Sequence, residues 1–202
     1  LDHQLALVSA STKGIGFAIA RSLAREGARV IVNGRTAASV DDAVKRILSE
    51  VPTAKLEAFP GDLSRADVTA QLGAAFPQVD ILVNNLGIFE PKAFAEIPDA
   101  DWLRFFEVNV LSGVRLSRLY FDGMLKRNKG RIVFISSESG LHIPTEMIHY
   151  GMTKTAQLAV ARGLADAPAE RHRRRRPARR PRPRAHLPLH PRHHLGRGLL
   201  VP

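Results

Sequence analysis

Three observations predict an α/β fold built on a doubly wound parallel sheet with helices on both faces. Short apolar runs alternate with amphipathic stretches from residue 4 to about 165. A glycine-bearing turn joins the first apolar run to the first amphipathic stretch. The length of 202 residues suits one domain of this kind with a sizeable core.

The elements follow in order. Gln4 to Val8 is a short buried strand, and Ser9 to Gly16 is the turn. Phe17 to Ala24 has helical spacing, Gly27 is a helix stop, and Ala28 to Val32 is the second strand. Strand, glycine turn, helix and strand make a right-handed βαβ unit. In such a unit the helix N-terminus offers N–H groups to an anion. Ala37 to Glu50 is helical, Lys55 to Phe59 is a strand, and Asp62-Leu63-Ser64 is a loop and cap. Ala66 to Phe76 is helical and Asp80 to Asn84 is the fourth strand. One long helix is expected from Asp101 to Lys126, with Asp99 and Asp101 as acidic starters. Arg131 to Ile135 is the fifth strand, and Ile148 to about Ala165 is a further helix.

Composition removes several function classes. Without cysteine there is no disulfide, no thiolate catalysis and no Cys-ligated metal site, and no other metal constellation is legible. No apolar run reaches the ~18 residues needed to span a membrane. No basic-then-apolar leader opens the sequence, so a cytoplasmic location is expected. The net charge of +11 is local. Residues 171–202 hold eleven arginines and no acid; setting them aside leaves nineteen basic residues against nineteen acidic ones. The chain therefore divides into a formally neutral domain, 1–170, and an Arg/Pro/His-rich tail, 171–202, that is expected to be disordered or out of frame.

The chemistry centres on Ser137, Tyr150 and Lys154. Tyr150 and Lys154 are four apart, so on a helix they share one face. A cationic amine beside a phenol favours the phenolate, which suits a proton shuttle. Ser137 follows the fifth strand, placed to bond the same substrate oxygen. Read singly, each feature has a plainer structural meaning. Gly14 and Gly16 make a tight turn, Asp62 caps a helix, Asn109 satisfies a buried carbonyl, and Ser137 caps a strand. His142 and His149 flank the site and are expected to line a substrate pocket.

Taken together, these motifs resemble the short-chain dehydrogenase/reductase family over residues 4 to about 166. The shared features are the turn ending Gly14-Ile15-Gly16, Asp62-Leu63, Asn84-Asn85-Leu86-Gly87, Asn109, Ser137, Tyr150 and Lys154, in order and spacing. The resemblance implies a Rossmann-type oxidoreductase that passes a hydride between a nicotinamide cofactor and an alcohol/carbonyl pair. It implies Tyr150 as general acid/base, Lys154 holding the nicotinamide ribose, Ser137 orienting the substrate oxygen and Asn109 holding a water. It implies cofactor contacts from Ser9, Ser11, Lys13, Gly14, Ile15 and Gly16 in the turn. Asn33 and Arg35 after the second strand, Asp62 and Leu63 at the adenine, and Asn85 and Gly87 complete that set, together with Tyr150 and Lys154. The second strand ends without the carboxylate that would bind a ribose 2′-hydroxyl, whereas Arg35 and Lys13 suit a 2′-phosphate. NADP(H) is thus expected over NAD(H).

Two positions depart from the family form. Ala10 stands where glycine is usual, tolerable only if its φ is negative. Leu86 stands where alanine is usual and is expected to narrow the space beside the cofactor. The tail replaces the family's sixth and seventh strands and substrate cover. One account of it is a basic arm for nucleic acid or anionic membrane. The preferred account is a reading-frame change, because CGN and CAY codons followed by C give Gly, Ala, Val, Asp, Thr or Ile one base later. Residues 171–176 can then hide Gly-Thr-Gly-Val-Ala-Val, a fit to the approach of a sixth strand. On that account the chain is inactive as written, and a nucleotide-binding domain without turnover is the alternative function. A homo-dimer or homo-tetramer through the Asn109 and Tyr150 helices is expected where the fold is complete; a nucleic-acid partner is not.

Overall fold

The computed structural model describes the backbone of residues 1–175 and side chains to residue 167. Most of the expected tail, residues 176–202, lies outside the described residues. Five parallel strands form one sheet: β1 (Leu5–Val8), β2 (Arg29–Gly34), β3 (Lys55–Pro60), β4 (Ile81–Asn84) and β5 (Arg131–Phe134). Their spatial order is β3-β2-β1-β4-β5, so the parallel α/β fold class is as expected.

Both faces of the sheet's centre are covered, which is why β1, β2 and β4 are nearly continuously apolar, whereas β3 carries Lys55 and Glu57 and β5 alternates between half-buried and exposed positions. Side chains of β1 point to opposite faces in turn. Ala6 and Val8 join Val30, Val32, Phe17, Ala20, Val40 and Ile47 on the face covered by α1 (Gly14–Arg25) and α2 (Ala37–Glu50). Leu7 joins Ile31, Leu82, Leu72, Leu116 and Tyr120 on the face covered by α3 (Ala66–Ala75) and α5 (Ser112–Arg127). Gly27, with φ 85°, ends α1 as its sequence position suggests, its N–H bonding Ala24 O at 3.0 Å.

Two elements differ from the sequence reading. The single helix expected over 101–126 is interrupted. It consists of α4 (Asp99–Phe106), a π turn over Glu107–Leu111, and α5. The last helix, α6, runs Ile148–Arg175, about ten residues further than expected, and so takes in the first five residues assigned to the tail.

Strand order reverses at β1, which has β2 on one side and β4 on the other. A ligand crevice in such a sheet lies beyond the carboxyl ends of the strands at this reversal. At the far side, no strand pairs with the outer edge of β5 among the described residues. An open groove of ≈ 510 Å³ lies there, lined by Met124, Ile132, Phe134 and Leu164 among others.

Candidate active site

The floor of the crevice is a web of hydrogen bonds between the ends of β1, β2 and β4. Ser9 Oγ accepts from the N–H groups of Asn85 (2.9 Å) and Leu86 (3.0 Å) and donates to Val83 O at 3.3 Å. Ser11 Oγ accepts from Asn33 N at 2.9 Å, and Asn33 O accepts from Ser11 N at 2.8 Å. The Asn33 amide donates to Phe59 O and Gly61 O and accepts from Ala10 N. Ser9, Ser11 and Asn33 are all buried. The structure places them beneath the turn, where their side chains set its shape.

The turn itself stands open. Gly14 has φ 57°, and a Cβ there would meet nothing within 4 Å. Ile15 beside it is 64 % exposed. At Gly16 a Cβ would lie 2.4 Å from Asn85 Nδ2 and 2.5 Å from Ala10 O. Gly14 is thus required by conformation and Gly16 by space. Gly87 lines the opposite wall, where an added Cβ would approach Asn109 Oδ1 to 3.5 Å and Lys154 Nζ to 3.7 Å. This glycine-walled opening at a helix N-terminus fits a dinucleotide phosphate.

Ala10 has φ 51°, in the left-handed region that glycine favours. It is held there by two bonds, from its N–H to Asn33 Oδ1 and from Asn85 Nδ2 to its carbonyl, both 3.0 Å. The condition for painless replacement of glycine is not met. Ala10→Gly should relieve about 1 kcal/mol of backbone strain. The melting temperature should rise by about 2–4 °C. An unchanged or lower melt in differential scanning calorimetry would count against strain at this position.

Asn109 sits in the π turn, fully buried. The turn breaks the regular i+4 ladder, and Asn109 O accepts from Gln157 Nε2 at 2.5 Å. Asn109 Oδ1 accepts from Ile88 N at 2.7 Å, while Nδ2 donates to Ile88 O and to Thr153 Oγ1, each at 2.9 Å. Both amide protons are therefore used. Asn109 clamps the chain leaving β4 to α6, and its own carbonyl accepts from Gln157.

Lys154 is buried, and burial lowers its pKa from the ordinary lysine value. Its Nζ donates to Ile135 O at 2.8 Å and Gln157 Oε1 at 3.2 Å, so two of three N–H donors are taken. Nζ lies 5.6 Å from the Tyr150 ring centroid. Ser137 Oγ accepts from Ser139 N at 3.2 Å and caps the 3₁₀ turn Glu138–Gly140. That loop packs tightly on α6: a Cβ on Gly140 would come within 3.1 Å of the Lys154 backbone, and Thr155 Oγ1 donates to Gly140 O at 2.8 Å. Two residues absent from the sequence reading tie Asn109 to α6: Gln157 links it to Lys154, and Thr153 links it to the Tyr150 carbonyl. Their only local signal is their place beside Lys154, one residue before it and three after.

The remaining predicted residues lie on nearby loops and in the core. Asp62 Oδ1 accepts from Ser64 N (2.9 Å) and Ser64 Oγ (2.7 Å), the capping arrangement. Leu63 belongs to the core, which leaves its backbone for a ligand. Leu86, expected to narrow the space beside the cofactor, packs against the Leu7 cluster. His149 does not line a pocket: it is fully buried, 4.0 Å from Phe105 and 6.0 Å from Trp102 between ring centroids. Neither ring nitrogen has a partner, and burial lowers its pKa. His142 is exposed. Lys13 and Arg35 are exposed at the turn and form no ion pair among the described residues. Among the described residues no group of His, Asp and Glu is arranged to hold a metal ion, and no helix is long and apolar enough to cross a membrane.

Comparison with known proteins bears on this arrangement. The family model described as short chain dehydrogenase matches residues 4–172. The oxidoreductase YvaG of Bacillus subtilis (strain 168) is 48% identical over 166 residues, covering 82% of this chain and 63% of YvaG. YvrD of the same organism is 46% identical over 169 residues, with the same coverage. The chain thus spans less than two thirds of the length of these relatives. Among solved structures, a gluconate dehydrogenase from Agrobacterium tumefaciens, itself a provisional assignment, has a TM-score of 0.79 at 30% identity, over 84% of this chain and 68% of that one. The L-sorbose reductase from Gluconobacter frateurii, complexed with NADPH and L-sorbose, has a TM-score of 0.77 at 26% identity, over 84% of this chain and 66% of that one. With its glycine turn, its parallel sheet and the extent of these matches, the chain belongs to the short-chain dehydrogenase family.

Proposed function

We propose that this protein is an oxidoreductase that passes a hydride between NADP(H) and an alcohol/carbonyl pair at Tyr150. The observation that carries this reading is the buried Lys154 ammonium held on the same α6 face as Tyr150, across the crevice wall from Gly87. A bound nicotinamide supplies or takes up the hydride. In the reducing direction Tyr150 gives its proton to the carbonyl oxygen, and Ser137 bonds the same oxygen. Lys154 holds positive charge near the phenolate left behind, and the crevice focuses that charge. Asn109, Thr153 and Gln157 hold Lys154 and the end of β4 in register. A cytoplasmic location belongs to this reading, as does a homo-dimer or homo-tetramer. Val114, Phe121, Val160 and Leu164 line a cleft on the outer side of α5 and α6 that suits such a contact; light scattering that gives a monomer at every concentration would remove it.

The preference for NADP(H) rests on Arg35 and Lys13, two exposed cations at the end of β2 and in the turn, with no carboxylate at the end of β2. Removing one phosphate-pairing arginine costs about 1.5–3 kcal/mol. Arg35→Ala should therefore weaken NADPH roughly tenfold to a hundredfold and leave NADH nearly unchanged, read by isothermal titration. Equal affinities for the two cofactors in the parent chain would remove the preference.

One observation favours a second reading, a nucleotide-binding domain without turnover: the sheet ends at β5 among the described residues. Thermal melts with NADPH, followed by NADPH oxidation with a panel of carbonyls, separate the two. Stabilisation without oxidation selects the second. A nucleic-acid role rests on residues outside those described, and a salt-dependent DNA shift lost on deleting 171–202 would be needed to raise it.

A further inference from the structure

Two loops meet beside Tyr150, and both present large apolar side chains to solvent. Phe89, after β4, is 72% exposed, and its ring meets the Tyr150 ring edge-on with centroids 6.2 Å apart. Ile143, after β5, is 43% exposed and rests on the first turn of α6, where a Cβ on Gly151 would come within 2.7 Å of its Cγ2. Leu141, two residues earlier, is 73% exposed. The Lys92 N–H donates to Glu146 O at 2.8 Å and ties the loops into one surface. Isolated exposed apolar residues are ordinary, but a cluster at the mouth of a polar site marks binding.

The charges at this mouth are uneven. Both nearby cations are engaged: Lys92 pairs with Asp101 at 2.5 Å, and Arg104 pairs with Glu90 at 2.8 Å and Asp101 at 3.1 Å. On the other loop, Glu138 and Glu146 are exposed and have no cationic partner among the described residues. That stretch carries two carboxylates against the single imidazole of His142. A substrate carboxylate would find repulsion there and no free cation. Resting on the oxidoreductase reading, we propose that the substrate is neutral and apolar, a ketone or alcohol whose hydrocarbon body lies on Phe89, Leu141 and Ile143, and not a hydroxy or keto acid.

The test compares 4-phenyl-2-butanone with 4-(3-oxobutyl)benzoate, the same body carrying a carboxylate. Trp102, the only tryptophan, packs on Phe94 and on His149 next to Tyr150, so its emission reports occupancy without turnover. In the full chain with NADPH, the ketone should bind saturably and at least about tenfold more tightly than the acid. The same ratio should appear in kcat/KM wherever NADPH is oxidised. Removing a buried apolar contact of this size is worth about tenfold or more. Phe89→Ala and Ile143→Ala should each weaken the ketone by that factor and leave NADPH affinity unchanged. Glu138→Gln with Glu146→Gln should bring the acid toward the ketone. Equal or tighter binding of the acid, no saturable ketone binding, or no effect of the apolar truncations overturns the proposal. NADPH that is neither bound nor oxidised, with ketone binding intact, overturns the oxidoreductase reading instead.

Discussion

Tyr150→Phe should lower NADPH-dependent carbonyl reduction by roughly 10²–10⁴-fold, the worth of a placed proton donor. NADPH affinity should stay within a few-fold, because the ring and the backbone carbonyl, which accepts from Thr153 Oγ1 at 2.7 Å, both survive. Lys154→Ala should behave differently. It removes a buried cation together with its bonds to Ile135 O and Gln157 Oε1, so affinity and rate should fall together. Stopped-flow reduction and equilibrium titration on both variants distinguish the roles. Most of the activity surviving in Tyr150→Phe would refute the assignment of the proton donor.

Gly16→Ala should be the most damaging single-methyl change at the cofactor turn. The new Cβ would sit 2.4 Å from Asn85 Nδ2, which already bonds Ser9 O and Ala10 O. Neither neighbour can move without opening the web between β1 and β4. Overpacking of this kind costs about 1–3 kcal/mol, and NADPH should no longer raise the melting temperature. Gly14→Ala is the contrast: it has open space and only a left-handed φ, so it should cost about 1–2 kcal/mol. Melts of both variants with and without NADPH give the comparison. A Gly16→Ala protein as stable and as responsive as its parent would show that the turn relaxes freely.

The strands and the family motifs were legible because their signals are local. Apolar runs of four to six residues, Gly27 after α1, and Tyr150 four residues before Lys154 each declare themselves within a single turn or strand. What stayed hidden depends on partners far along the chain. Nothing near Ser9 and Asn33 in sequence shows that they also bond Asn85, Leu86, Ala10 and Phe59. Gln157 bonds Lys154 three residues before it, but its second partner, Asn109, lies 48 positions earlier. The π turn was invisible for a different reason: Glu107–Leu111 keeps the apolar spacing of a continuous helix. Ala10 lay between these cases. Its φ of 51° is imposed by bonds to Asn33 and Asn85, both distant in sequence.

The position of β5 at the edge of the sheet divides the site into halves of unequal persistence. The cofactor turn springs from β1, which is paired on both sides and covered on both faces. Ser137 and its loop spring from β5, paired on one side among the described residues and with Val133 43% exposed. Native proteins open in cooperative units of different free energy, and the sparsely contacted units open first. Amide hydrogens of β5 should thus exchange well before those of β1, and at modest denaturant the Ser137 loop would come loose while the glycine turn on β1 still stood.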